Sequence, residues 1–398
     1  MRCDVLIIGA GPAGLATALT TSERGLETIV VEKNREIGYP IKTSAFSWNE
    51  LAEKWIRNES SICQRQNRIY VNHITSRKDV TVNFGKTIAF TLNYDEFLQE
   101  LANRCAEAGV RFWLDSNFLK PLVEGDYIVG GVVNHEGQEK ITVISKVVVD
   151  CSGPNSVILR FLNSDYKEKE IGFGIEYEMA NVNDLDEKMA YFFVGREVVP
   201  IGYGWVFPTG KKRARIGVCS VYNTKEEVDG RILDYFYNFF SDKSPISGMV
   251  RNATPISKHS GAYALAGIVD KPYGNGYLVV GDAASQASPL LGEGIRYALE
   301  FGEYAGKTIC EASKQNNFSS KFLSRYKEMC DSYLGERFRV AADLLQIPTE
   351  EYWEGIVDMI TKLKKEDKMD QILSYFKTDL NYSEARKMMP NFIKYLCR

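Results

Sequence analysis

The chain has 398 residues, 44% of them hydrophobic, which is enough for a large core and two or three structural units. Its 49 Lys and Arg against 52 Asp and Glu give a formal net charge of -3, so no whole-chain basic surface points to nucleic acid. The cysteines number 8 and are scattered without a CxxC pair, which signals neither a metal site nor a dithiol redox motif. Cys3, Cys151 and Cys219 fall in apolar strand-like runs and read as buried, reduced structural thiols. There is no room for a targeting segment before the first strand, and no apolar run of about 18 residues occurs. The expectation is a cytoplasmic protein, with peripheral contact at a membrane left open.

Residues 5–8 are a continuous apolar run, as a strand buried on both faces requires. Residues 11–24 are rich in Ala and Leu and read as a helix, and residues 28–31 as a second strand ending at Glu32. A loop follows through residues 37–46. Residues 94–109 place Phe97, Leu98, Leu101, Ala102 and Cys105 on one helical face and lead into a strand over 110–114. Further strands and a turn at residues 135–137 carry the chain to Asp150-Cys151-Ser152-Gly153.

The pattern then changes. Phe173, Ile175, Tyr177 and Met179 alternate with Gly174, Glu176 and Glu178, and Ala214, Ile216 and Val218 alternate with Arg215, Gly217 and Cys219. Period-2 patterning with aromatic content indicates a largely antiparallel sheet. Lys211-Lys212-Arg213 reads as a solvated hairpin turn. Residues 277–280 return to the buried parallel-strand style, and 293–310 read as a helix. The stretch 315–398 looks mostly helical; its role could be to close a cavity, to make an oligomer contact or to touch a membrane. The expected architecture is α/β: a discontinuous Rossmann-like domain with a parallel sheet over 1–164 and 271–314, an inserted antiparallel-sheet substrate domain over 165–270, and a helical C-terminal region over 315–398.

Two signatures carry the chemistry. The first is Gly9-Ala10-Gly11-Pro12-Ala13-Gly14, between the first strand and helix. A pyrophosphate needs backbone donors nearby: Gly9 permits the tight turn, Gly11 lets the chain approach the phosphates, and Gly14 lets the helix pack on the strand. Glu32, with Lys33 beside it, lies 18 residues past Gly14 (32 − 14), where a carboxylate can accept from ribose hydroxyls. The second is Gly281-Asp282, followed by Pro289-Leu290-Leu291-Gly292-Glu293-Gly294-Ile295. Asp282 is placed to bind a ribityl hydroxyl, and the helix start at Gly294 and Ile295 to face the flavin pyrimidine edge. Together the two indicate FAD held at both ends, with the loop residues Thr43, Ser44 and Ala45 beside the ring.

These motifs, with Asp150-x-Ser152-Gly153, resemble the FAD-binding fold of p-hydroxybenzoate hydroxylase-type flavoproteins. Pro200-Ile201-Gly202-Tyr203-Gly204-Trp205-Val206-Phe207-Pro208 fits PxxYxWxFP, a pattern typical of the geranylgeranyl reductase family, and Pro289 to Ile295 is in the same style. The resemblance covers most of residues 1–310. It implies FAD-dependent saturation of C=C bonds in an isoprenoid lipid or similar hydrophobic alkene, with Tyr203, Trp205 and Phe207 in the substrate wall. Period 2 puts these three on one strand face, where a plain core stripe is the alternative. Tyr203, or water held by Thr43 or Ser44, is the candidate proton source. Two positions depart from the family: Thr43 stands where GxPxxC has its cysteine, and Tyr94 where an Arg is usual. The other readings are a monooxygenase or halogenase of the same fold, whose WxWxIP motif is similar in style, and a non-catalytic flavin carrier. No second GxGxxG follows a strand, so the electron donor, NAD(P)H or a ferredoxin, is left open.

Overall fold

The computed structural model describes residues 1–42, 44–49, 54–137, 140–163, 171–222, 232–264, 269–345, 347 and 349–396. The candidate Thr43 lies outside the described residues.

The chain opens on the expected unit: β1 (Val5–Ile8), α1 (Pro12–Ser22) and β2 (Thr28–Val31). Strands β3 (Phe46–Trp48), β4 (Ile62–Gln66), β5 (Arg68–His73), β6 (Lys78–Asn83) and β7 (Ala89–Leu92) precede helix α2 (Tyr94–Glu107). Then come β8 (Arg111–Trp113), β9 (Ser116–Glu124), β10 (Tyr127–His135), β11 (Lys140–Ile144), β12 (Val147–Asp150) and the short α3 (Val157–Leu162). The patterned middle forms β13 (Ile171–Ala180), β14 (Met189–Val194), β15 (Gly202–Gly210), β16 (Arg213–Tyr222), α4 (Ile232–Phe239), α5 (Ser247–Val250) and β17 (Thr254–Ala264). Strands β18 (Tyr273–Gly274) and β19 (Tyr277–Val279) return to the first sheet. Helices α6 (Ile295–Lys314), α7 (Ser320–Leu344), α8 (Thr349–Lys365), α9 (Met369–Phe376) and α10 (Tyr382–Met388) complete it.

The first sheet has the order β18-β19-β12-β1-β2-β8 and is parallel except at β18. Every residue of β1, β2 and β12 is buried, because helices cover one face and a second layer the other. Leu15, Leu19, Phe97, Leu101, Phe301 and Ile309 of α1, α2 and α6 pack on the helical side. Val133 and Val143 of the β9–β11 sheet pack with Leu6, Ile29 and Val148 on the other.

The second sheet, β17-β13-β16-β15-β14-β5-β6, is antiparallel apart from the β14–β5 pair. Its far edge is recruited from residues 68–83, far upstream of the patterned middle. Both faces are covered. Ile175, Met179, Val206 and Ile216 pack under Phe236 and Phe239 of α4. The opposite face meets the helices beyond residue 340, with Val71, Val82 and Phe192 against Trp353, Ile356 and Phe376. The C-terminal helices thus form a wall of the sheet.

Helices α1 and α6 approach closely. Thr17 Oγ1 donates to the Gly302 carbonyl at 3.0 Å, and a Cβ at Gly302 would lie 2.5 Å from the Ala13 carbonyl oxygen. Gly302→Val is therefore expected to destabilise the protein by about 1–3 kcal/mol, although valine is the better helix former, as a lowered urea midpoint would record.

Candidate functional site

A cavity of about 670 Å³ runs between the two sheets. One end is the glycine loop after β1. Gly9 has φ +99°, and a Cβ there would strike the Cys151 carbonyl oxygen at 2.4 Å; Gly14 packs behind it, its absent Cβ 2.0 Å from the Gly9 carbonyl oxygen. At Gly11 an added Cβ would meet nothing within 4 Å, so that side is open. Gly9, Gly11, Pro12 and Ala13 line the cavity, as do Glu32 and Lys33. The Glu32 carboxylate accepts from Ala10 N at 2.8 Å and Asn34 N at 2.9 Å, so it fixes the loop as well as facing the cavity. Asp150, fully buried, accepts from Ser152 N, Ser156 Oγ and Ile158 N, and so holds Ser152, Gly153 and Asn155 in the wall.

The second signature completes this end. Asp282, Gly292, Gly294 and Ile295 line the cavity. Pro289 lines a smaller adjoining cavity with Leu344 and Trp353. Helix α1 begins at Gly11 and α6 at Gly294, and neither start has a side-chain cap or an acidic residue in its first turn. The α1 start is bare and positively polarised toward the cavity, which suits phosphates at that end; at the α6 start Glu293 accepts from Arg296 N at 3.2 Å, and the Gly292–Gly294 backbone faces the cavity. The residues present therefore fit FAD.

Ser44 lines the cavity, whereas Ala45 is buried behind it. Lys42 also lines it, and burial, then the neighbouring Lys33, lowers its ammonium from the ordinary lysine range. Tyr94, at the departure from the family pattern, faces the same space; burial, then Asp282 and Glu32, raise its phenol above the usual range.

The far end is the inner face of the second sheet. Tyr203, Trp205 and Phe207 share it, with Phe46, Trp48 and Phe192. Phe46 stacks on Phe207 at 4.4 Å and 19°, and Trp205 on Phe207 at 6.1 Å and 20°. The Tyr203 hydroxyl donates to the Leu291 carbonyl at 2.6 Å, and burial holds the phenol well above its ordinary range. The expected proton source is thus bound to the loop it faces. Cys219 lines the same wall, its thiol pushed up to about 11 by burial.

The sequence reading missed Glu176, His259 and Arg215. Glu176 and His259 line the cavity. Arg215 bonds Glu178 at 2.9 Å and the Ser44 and Leu92 carbonyls at 2.9 and 3.1 Å. Glu176 and Glu178 alternate with apolar residues and so resemble a solvent face, yet they are 2% and 6% exposed. Mid-strand Gly174 and Gly217 were the available signal, since such glycines mark close approach.

A two-ended cradle on a parallel sheet beside an aromatic sheet defines an FAD-dependent oxidoreductase. Residues 4–160 match the FAD dependent oxidoreductase family, and residues 170–261 the geranylgeranyl reductase catalytic domain. The chain is 31% identical to the digeranylgeranylglycerophospholipid reductase of Methanosarcina acetivorans over 82% of its length and 79% of the relative's. It is 30% identical to digeranylgeranylglycerophospholipid reductase 2 of Methanopyrus kandleri over 99% and 98%. Its fold is similar to that of a geranylgeranyl bacteriochlorophyll reductase-like protein from Thermoplasma acidophilum, with a TM-score of 0.86, 24% identity and 99% and 98% coverage. The chain belongs to the geranylgeranyl reductase family.

Glu32→Ala removes two charge-assisted bonds to the loop. It is expected to weaken FAD binding roughly ten- to hundredfold, measurable by flavin fluorescence titration of the apoprotein.

Proposed function

We propose that this protein saturates C=C bonds in the isoprenoid chains of a lipid, using reduced FAD. The observation that carries the reading is the aromatic wall of Tyr203, Trp205, Phe207, Phe46 and Phe192 at one end of a cavity whose other end is a dinucleotide cradle. Six-membered faces bury a prenyl chain without asking it for hydrogen bonds. The names of the archaeal relatives point to the same substrate class.

In this reading Gly9, Gly11, Pro12, Ala13, Gly14, Glu32 and Lys33 hold the nucleotide end of FAD. Ser44, Asp282, Gly292, Gly294 and Ile295 would face the flavin end, with Ala45 and Pro289 supporting them from outside the cavity wall. Bound and reduced, FAD supplies the hydride. An isolated alkene offers little charge to grip, so the chain's own contribution is positioning and exclusion of water. Phe207, Trp205 and Phe192 set the plane of the prenyl chain. Tyr203 holds the Leu291 carbonyl and with it the loop leading to Gly292 and Gly294. Residues 1–164 and 271–314 serve the cofactor, and 165–270, joined by β5 and β6, the substrate. Among the described residues no helix is long and apolar enough to cross a membrane.

The test is anaerobic. With FAD reduced by dithionite and a geranylgeranyl lipid added, the flavin is expected to reoxidise while the lipid gains two hydrogens per double bond by mass. A flavin that stays reduced until oxygen is admitted, and then modifies an aromatic substrate, would replace this reading with the monooxygenase or halogenase class.

A further inference from the structure

Four adjacent strands of the large sheet contribute one residue each to a single lateral row. His259 of β17 stands opposite Glu176 of β13, Glu176 opposite Gly217 of β16, and Gly217 opposite Trp205 of β15. Gly217 leaves the gap in which the row closes: a Cβ there would fall 2.6 Å from the Glu176 Cβ and 2.7 Å from the Trp205 ring. Across that gap the indole Nε1 donates to Glu176 Oε2 at 3.0 Å. On the other side His259 Nδ1 lies 3.0 Å from Glu176 Oε1, and His259 Nε2 lies 3.0 Å from the Ser257 hydroxyl.

Burial grades along this row. Glu176 is 2% exposed and His259 8%, both against the cavity, while Ser257 is exposed on the edge strand β17. The three groups form a continuous path from solvent to the cavity wall. A carboxylate in an otherwise aromatic wall is costly, and an apolar side chain of similar volume would serve packing as well. Glu178, two residues on, has a structural use, since Arg215 neutralises it and ties it to the Ser44 and Leu92 carbonyls. Glu176 makes no hydrogen bond to Arg215, although that guanidinium acts on it through space; its bonded partners are a neutral indole and an imidazole able to pass a proton.

Resting on the reductase reading, each saturation consumes one hydride and one proton, and the Tyr203 hydroxyl is bound to Leu291. We infer that Glu176 is the acid that protonates the alkene and that His259 recharges it from solvent through Ser257. The alkene carbon nearer the reduced flavin takes the hydride with its electron pair. The π electrons form a C–H bond at the other carbon with the proton of the Glu176 carboxyl, whose O–H bond breaks. The resulting carboxylate takes the Nδ1 proton of His259 while a proton from water, passed by Ser257, enters at Nε2. The flavin ends oxidised, the double bond reduced and the carboxyl restored, and exchange with water then returns His259 from its Nε2–H to its Nδ1–H tautomer.

The experiment compares the wild type with Glu176→Gln and His259→Gln in anaerobic single turnovers of the dithionite-reduced holoenzyme with a geranylgeranyl lipid, in H2O and D2O. Glu176→Gln is expected to slow flavin reoxidation roughly hundredfold or more, the size of a lost general acid, with lipid affinity kept. His259→Gln is expected to slow it less, because the carboxyl remains, and to enlarge the solvent isotope effect. Independently of turnover, the oxidised wild type should show a low-field Nδ1 proton from His259 by NMR, absent in Glu176→Gln. Reoxidation of both variants within about threefold of wild type would overturn the proposal while leaving the reductase reading intact. Should Glu176→Gln fail to fold, His259→Gln and the wild-type proton resonance decide it. A wild-type flavin that the lipid never reoxidises would overturn both.

Discussion

A buried guanidinium holds the two halves of this molecule together. Arg215 is 4% exposed and projects from the middle of the antiparallel sheet. One side of it neutralises Glu178, and the other reaches the carbonyls of Ser44 and Leu92, in the segments that flank the flavin end of the cavity. Burial opposes its ionised form, but the Glu176 and Glu178 charges outweigh it and hold the guanidinium above its ordinary range. Removing one partner from such a pair typically costs about 3–5 kcal/mol, because the other charge is stranded. This contact ties the aromatic sheet to the Ser44 loop and the end of β7 on the other side of the cavity.

The same constraint explains how the cavity combines dryness with charge. On the second sheet its wall is aromatic where a prenyl chain would lie, and Glu176 enters that wall where the sheet supplies partners in register. Rows of residues across β17, β13, β16 and β15 alternate between these needs. In one row Glu178 and Arg215 serve structure between Ser257 and the cavity-lining Phe207, and in the next His259, Glu176 and Trp205 all line the cavity. Glycine at 217 lets side chains from non-adjacent strands meet across the row.

The C-terminal helices belong to the site as well. Arg296, buried at the start of α6, bonds Glu293 and the Lys377 carbonyl, and Glu293 accepts from Ser47. Ser288 and Thr378 share a hydrogen bond at 2.6 Å. Phe376 packs at 5.6 Å from Phe192 and 6.1 Å from Trp48. The loop of residues 288–294 is therefore held between β3 and the turn after α9, and a segment with no motif of its own backs the aromatic residues that line the cavity.

Much of this was legible in the linear chain. Residues 5–32 could be read because strand, turn, helix and acid are close together in sequence. The Tyr203, Trp205 and Phe207 stripe could be read because a strand alternates faces every residue. The Gly281-Asp282 and Gly292-Glu293-Gly294 strings drew attention to a segment that lines the same cavity as the first glycine loop. What only the tertiary structure decided were the contacts between distant segments. Strands β5 and β6 joined a sheet formed 100 residues later, and helices without motifs covered its inner face. Glu176 and His259 look like solvent-facing polar positions until strand pairing brings them together and packing removes the water. Period and turn chemistry act over a few residues, whereas burial, charge pairing and lateral register depend on which strands become neighbours.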